Sequence, residues 1–304
     1  MAKNGKNGTY KNLEDQFKKA FRQAKKASDG MVSVKSIYRY QESMKNFMAF
    51  CAEQFYLQKL AKIQEKHLRA YIEHRRAEGT AEKTIKNDIA AIRFFHRYMD
   101  AKYKLPDNKA LGLMSTPNGG KDRSWTDREY HKMLKLARTA GREDVVCAMR
   151  LARYAGLRLH EITRLSRRDA ERAIERGEMT VKGKGGKVRD VLLSPRAAQA
   201  LKDACRLLPE EEKLFVRKGE KTHLVNQRIQ GFIRRHRNKV AESGRGVRLT
   251  MHGLRHTYAR ELYFAQVRRW VIKGRRKYDR RAMYEVSRQL GHGRWEVTRI
   301  YLGG

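Results

Sequence analysis

The sequence predicts a mainly α-helical protein with one small antiparallel β-sheet, divided into a helical N-terminal domain and a larger C-terminal domain. Three observations predict it. Apolar residues recur at three- and four-residue steps, the spacing of helices packed on one side. One pair of short runs flanks a Gly-rich turn, as in a hairpin. Between the two domains Pro106, Gly112, Pro117, Asn118, Gly119 and Gly120 break the pattern without any apolar period, which marks a linker.

Taken in order, residues 1–30 are rich in Lys, Asn and Gly. They read as a basic arm, helical from Asn12 to Lys26, or else as a solvated tail. Ile37, Tyr40, Met44, Phe47, Met48, Cys51 and Phe55 form a first helical stripe. Leu68, Tyr71 and Ile72 form a second, stopped by Gly79. Ile85, Ile89, Ile92, Phe95 and Met99 form a third, with Lys83, Lys86, Arg93 and Arg97 elsewhere on its surface. Residues 31–104 are thus one helical domain, 105–122 the linker and 123–304 the second domain. That domain opens at Thr126-Asp127-Arg128-Glu129, a capping box that starts a helix. Further helices are expected at about 143–154 and 159–167. Ser194-Pro195 supplies an N-cap and first-turn proline for a helix through Leu207. Between them, Met179 to Leu193 reads as a hairpin whose Gly185-Gly186 allows the positive φ of a tight turn.

Lys and Arg number 70 against 33 acidic residues, a formal charge of +37 and a pI near 10.4. Such a charge calls for a polyanion, and DNA is the one that counterion release rewards most. RNA shares that signature, and membrane surfaces are the lesser alternative. No run of about 18 apolar residues occurs, so nothing is expected to span a membrane, and the first residues lack a signal-peptide core. Cys51, Cys147 and Cys205 are far apart, without a CxxC pair. They suit reduced thiols in a cytoplasmic protein better than zinc or disulfides.

The chemistry lies in a set of short motifs. Arg158 and Glu161 stand in Ala155-Gly156-Leu157-Arg158-Leu159-His160-Glu161-Ile162, and Lys184 in Val181-Lys182-Gly183-Lys184-Gly185-Gly186-Lys187. His252 and Arg255 belong to His252-Gly253-Leu254-Arg255-His256, and His292 to Leu290-Gly291-His292. Tyr301 follows nine positions later. Their order and local spacing resemble the tyrosine recombinase, or phage integrase, family over the C-terminal domain.

The resemblance implies a cage around one DNA phosphate and a phenolic nucleophile. Arg158 and Arg255 would each offer two oxygens a planar fork that stays charged at any working pH. His252 and His292 would donate hydrogen bonds to the same oxygens and move a proton. Glu161, an anion near phosphate, would orient an Arg or His rather than touch DNA. Lys184 would protonate the leaving 5′-oxygen, with Lys182 and Lys187 as competitors. Tyr301 would attack phosphorus and leave a 3′-phosphotyrosine. His256 reads as structural. The positive side chains take the part metals play in two-metal nucleases, and clustered carboxylates are lacking, so neither metal nor cofactor is expected.

The N-terminal helical domain is similar in position to the family's core-binding domain, which clamps one face of the duplex, with Lys83, Lys86 and Arg93 as candidate DNA contacts. Two departures stand out. The stretch between His252 and His292 is longer than usual in the family, with the extra residues falling within Ala265 to Arg281. Arg268, Arg269, Arg275 and Arg276 there read as further DNA contacts, or as a solvated insertion. The chain also stops at Gly304, three residues past Tyr301, where many relatives carry a segment that docks on a neighbouring subunit. Either the chain is cut there or it assembles differently. Further implications are double-stranded recombination sites as partner, a homo-oligomer that is a tetramer at synapsis, accessory DNA-bending or directionality proteins, and a cytoplasmic, nucleoid-associated location. Rival readings are a type IB topoisomerase-like nicking and resealing enzyme, a catalytically silent DNA-binding relative and a basic RNA-binding protein.

Overall fold

The computed structural model describes residues 2–27, 34–114, 122–183, 186–209, 212–269, 279–291 and 295–302. It forms two compact units, Met1–Pro117 and Asn118–Gly304. The first is helical: α1 (Ala2–Ala27), α2 (Val34–Gln54), α3 (Glu65–Ala77) and α4 (Glu82–His96). All three apolar stripes face its core, where Phe47, Tyr71, Ile89 and Phe95 are buried.

The segment expected as a basic arm is part of that core. Leu13, Phe17, Ala20 and Ala24 lie on one face of α1 and are all buried. Phe17 meets Phe95 edge-on at 4.8 Å. Lys and Asn fill the opposite face, so the composition is that of an amphipathic helix rather than of a tail. The expected linker also differs. Leu111 and Leu113 are buried in the first core, and Ala110 O accepts from Arg69 Nη2 at 2.8 Å. Short polar stretches with a few apolar residues have no period to read, which is why this docking was not legible.

The second unit runs α5 (Asp127–Thr139), α6 (Glu143–Tyr154), α7 (Leu159–Ile162), α8 (Arg167–Arg176), β1 (Glu178–Lys182), β2 (Val188–Leu192), α9 (Pro195–Leu207), α10 (Thr222–Val240), α11 (Met251–Arg269), α12 (Arg280–Leu290) and α13 (Glu296–Arg299). The fold class is therefore as expected: mainly helix, with one two-stranded antiparallel sheet. Its register runs from Glu178 opposite Leu192 to Lys182 opposite Val188.

Helix α6 is the axis of this unit. Val145 to Met149, Leu151 and Ala152 are buried, and α5, α9 and α11 pack around it. Its buried Arg153 is paired with Asp127 and Glu261, both at 2.6 Å, and lies over the Tyr130 ring. The capping box forms as read: Thr126 Oγ1 accepts from the Glu129 N–H at 3.1 Å, and Glu129 Oε2 from that of Thr126 at 2.9 Å. Ser194 caps α9 by accepting from the Ala197 N–H. A separate small core of Ala259, Tyr263, Met283, Val286, Leu290 and Tyr301 fastens α12 and the C-terminal turn to α11.

Candidate active site

The site begins at Gly156. Its φ of +62° turns the chain out of α6, and a Cβ there would lie 2.4 Å from Tyr258 Cδ1. Only glycine meets both demands. Two residues on, Arg158 is the N-cap of α7 and has extended backbone angles. Its N–H donates to Glu161 Oε2 at 2.8 Å and its Nη1 to Oε1 at 2.9 Å.

Glu161 is buried and collects more than Arg158. From β2, Arg189 donates Nη1 to Oε1 at 2.9 Å and Nη2 to Oε2 at 2.8 Å. Arg255 Nη1 lies 3.9 Å from Oε2. Burial alone would raise the Glu161 pKa, but the Arg189 hydrogen bonds and the surrounding positive charge outweigh it and hold the carboxyl at about 2. At neutral pH it is an anion shared by three guanidiniums.

Arg255 is fully buried on α11. Nη1 donates to the Gly156 carbonyl and Nη2 to the Leu290 carbonyl, so one side chain joins the Arg158 loop to the end of α12. Burial and the neighbouring Arg158 charge push its pKa down to about 10, which leaves it protonated at neutral pH. Two residues earlier, Gly253 lets α11 approach the Ser124-Trp125 segment: a Cβ there would sit 2.6 Å from the Arg123 carbonyl oxygen.

Tyr301 follows α13 and is buried to 6 % exposure. Its Oη lies 3.3 Å from His252 Nε2. Its ring stacks on His256, with centroids 4.3 Å apart and planes 25° from parallel. The His256 ring is buried, and that burial, with the His252 ring and Arg123 beside it, lowers its pKa to about 4. His252 as a residue is exposed, but its imidazole packs edge-on to both His256 and Tyr301. Desolvation of that ring, then Arg255, Arg158 and Arg123, lowers its pKa to about 4. Both imidazoles are neutral at pH 7, and a neutral imidazole beside a phenol can accept its proton.

Arg158, Glu161, His252, Arg255 and Tyr301 are thus brought together. Lys184 and His292 lie outside the described residues, but the residue before each is described and abuts the cluster. A Cβ on Gly183 would be 3.2 Å from Glu161 Oε1, and one on Gly291 2.7 Å from Arg189 Cδ. The other candidates lie elsewhere. On α4, Lys83 is exposed, Lys86 Nζ donates to the Met114 carbonyl, and Arg93 is half-buried with Nη1 on Asn108 Oδ1 at 2.7 Å. Arg93 and Lys86 therefore help dock the 105–114 segment. Arg268 and Arg269 end α11, with side chains outside the described set, and Arg275 and Arg276 lie outside the described residues.

Sequence reasoning missed Arg189. The signal was present: it stands two residues before the buried Val191 on β2, so strand alternation puts both on the inward face. An arginine at an inward position needs a buried anion, and Glu161 is that anion. Also missed was a cavity of about 630 Å³ that opens at His252 and is lined by Arg234, Arg237 and Arg248.

Residues 123–275 match the model of the phage integrase family, and residues 24–102 that of the phage integrase N-terminal SAM-like domain. The chain is 27 % identical over 289 residues to the tyrosine recombinase XerC of Pseudomonas syringae pv. tomato, covering 90 % of this chain and 87 % of that protein. With XerC of Rhizobium meliloti it shares 26 % over 293 residues, 91 % of this chain and 85 % of the relative. Among solved structures, a lambda integrase(75-356) dimer bound to a COC′ core site matches with a TM-score of 0.64 at 18 % identity, over 95 % and 94 % of the two chains. XerH bound to a palindromic difH substrate in a post-cleavage complex matches at 0.62 and 20 % identity, over 91 % and 78 %. Those two likenesses are of fold. The chain belongs to the phage integrase family. It is a tyrosine recombinase, an enzyme of DNA breakage and rejoining, which is the first of the readings the sequence left open. No described helix is long and apolar enough to cross a membrane.

Proposed function

We propose that this chain recombines specific double-stranded DNA sites with Tyr301 as its nucleophile. Tyr301 Oη attacks the scissile phosphorus and gives up its proton, and the phosphorus–5′-oxygen bond breaks. A 3′-phosphotyrosine and a free 5′-hydroxyl result, and a 5′-hydroxyl from a partner strand reverses the step. The observation that carries this reading is the phenol at 3.3 Å from a neutral His252 imidazole, in a pocket built around Arg255. In this reading His252 takes the phenol proton, and Lys184 gives one to the leaving oxygen. Arg158, Arg255 and His292 hold the phosphate whose charge grows in the transition state.

The Arg234, Arg237 and Arg248 cavity beside His252 gives the duplex a basic approach to this phosphate, and the arginines within Ala265 to Arg281 are further candidates for DNA contact. The structural relatives include a recombinase dimer on a core site. For this chain, pairing of two such dimers into a tetramer, with accessory bending or directionality proteins, is the corresponding assembly.

The test uses a duplex site selected by binding from a random-sequence pool and nicked near the cleavage position. Once the short flanking strand diffuses away, cleavage traps the enzyme on DNA. With excess EDTA and no ATP, a covalent adduct stable to detergent is expected. Loss of the adduct on chelation, restored by Mg²⁺, points to a nuclease instead.

A further inference from the structure

We infer that Arg189 is a positioning residue of the cleavage reaction, a clip on β2 that fixes the Arg158 guanidinium through Glu161 and anchors the turn ahead of His292. The inference rests on the reading of Arg158 as a phosphate-binding residue.

Three contacts carry it. Arg189 and Arg158 share both oxygens of Glu161: each oxygen accepts one N–H from Arg189 and one from Arg158, at 2.8 to 2.9 Å. Arg189 supplies the two-pronged fork, and the carboxylate it fixes then directs its remaining lone pairs at the Arg158 backbone N–H and Nη1, which holds that loop and one end of the guanidinium in place. The third nitrogen, Arg189 Nε, donates to the Gln289 carbonyl at 3.1 Å. That carbonyl belongs to the last turn of α12, next to Leu290, whose own carbonyl accepts from Arg255 Nη2. The α12 C-cap Gly291, left-handed at φ +63°, lies over the Arg189 side chain so closely that any Cβ would collide with Cδ. One residue therefore sets the angle of Arg158, the seat of Arg255 and the path of the chain into His292. Arg189 itself is nearly buried, with a side-chain exposure of 9 %, and all three of its guanidine nitrogens are engaged. These contacts are with Glu161 and the end of α12, the pattern of a residue that acts through its neighbours. It is also tied to the strand that leaves the Lys184 hairpin, so a shift of that hairpin reaches Glu161 through the same side chain.

A plain ion pair in the scaffold predicts a different result from a positioning role. Single-turnover cleavage at saturating DNA and the Kd for DNA are measured for Arg189→Gln, Arg189→Lys, Glu161→Gln and the Arg189→Gln/Glu161→Gln pair, with thermal melts of each. Misplacing a catalytic group by about 1 Å costs on the order of a hundredfold, so Arg189→Gln is expected to cleave about a hundredfold more slowly. Its Kd is expected to stay within about threefold of the parent. Arg189→Lys keeps the charge without the fork, and is expected to melt like the parent yet cleave slowly. In the Glu161→Gln background, Arg189→Gln is expected to add less than about threefold, because the pair acts as one unit. Parent-like cleavage in either folded single variant overturns the proposal, as do fully multiplicative effects in the pair. If Arg189→Lys fails to fold, Arg189 is a scaffold residue and the proposal is equally wrong. Adduct formation by the parent chain in the same assay separates these outcomes from a failure of the functional reading itself.

Discussion

Tyr301 stacks on His256, with ring centroids 4.3 Å apart and planes 25° from parallel. The contact fixes the plane of the phenol, and His252 at 3.3 Å then fixes the direction of its oxygen. His256, read from sequence as structural, is a platform for the proposed nucleophile. An aromatic pair contributes about 0.5–1.5 kcal/mol beyond area burial, which is a factor of roughly two to ten in a rate. His256→Ala is therefore expected to slow adduct formation by that factor, and His256→Phe to restore most of it. A Phe variant as slow as the Ala variant would assign His256 a proton or hydrogen-bond role instead.

The two histidines also set a pH window for stability. Each titrates near 6.5 when unfolded and at about 4 in the fold. Between those values the unfolded chain binds more protons, so stability rises with pH and is lost as pH falls from 6.5 towards 4. His256 is buried and carries most of this effect, whereas the exposed His252 is screened. Glu161 adds a lower window: its carboxyl falls from an ordinary 4.5 to about 2, so its stabilisation is present above 4.5 and lost as pH drops below it. Thermal melts should be flat above about pH 6.5 and decline below it. His256→Phe should remove much of the upper decline and leave the lower one.

Gly156→Ala meets two obstacles, a left-handed backbone and a Tyr258 ring 2.4 Å from the new Cβ. Left-handed φ costs an L-residue about 1–2 kcal/mol and overpacking about 1–3. Denaturant unfolding should show a loss of at least about 2 kcal/mol, on the same scale. A parent-like midpoint would mean that the Tyr258 ring swings clear and that this contact does not hold the Arg158 loop.

Cage arginines and the arginines of the insertion should separate by assay. Arg158→Ala is expected to slow cleavage by a hundredfold or more, about the loss on removing a transition-state donor, with little change in affinity. Neutralising Arg268, Arg269, Arg275 and Arg276 together should instead weaken binding and flatten its salt dependence, by about 0.9 in slope for each DNA phosphate no longer neutralised. Cleavage at saturating DNA should survive. Normal binding with an unchanged slope would make the insertion a solvated loop, and a failure of cooperativity on paired sites would place it at a subunit interface.

Helices with a clean period were legible from sequence. The stripes of α2, α3 and α4, the box at Thr126, the Ser194-Pro195 start of α9 and the β1–β2 hairpin all lie where local rules put them. Helix α1 was read as an arm because its Lys-rich face dominates composition, although Leu13, Phe17, Ala20 and Ala24 already had helical spacing. The expected helix over 159–167 stops at Ile162 as α7, and a helix that was not expected, α8 (Arg167–Arg176), starts at Arg167 behind its Ser166 cap, since a serine N-cap inside a run is easily passed over. At the site, Arg158, His252, Arg255 and Tyr301 were legible because each sits in a local motif. Arg189 was not, because its meaning depends on Glu161, which is 28 positions away in sequence.

The central claim is that Tyr301 is the residue that becomes joined to DNA. Its most direct test is to trap the adduct on the nicked duplex, digest protein and DNA, and locate the nucleotide-bearing residue by mass spectrometry. The modification is expected on Tyr301, in the peptide that follows Arg299, with no adduct from Tyr301→Phe, whose affinity for DNA stays near that of the parent. An adduct on another residue, with the exposed Tyr284 the first to check, or an adduct that persists in Tyr301→Phe, would contradict it.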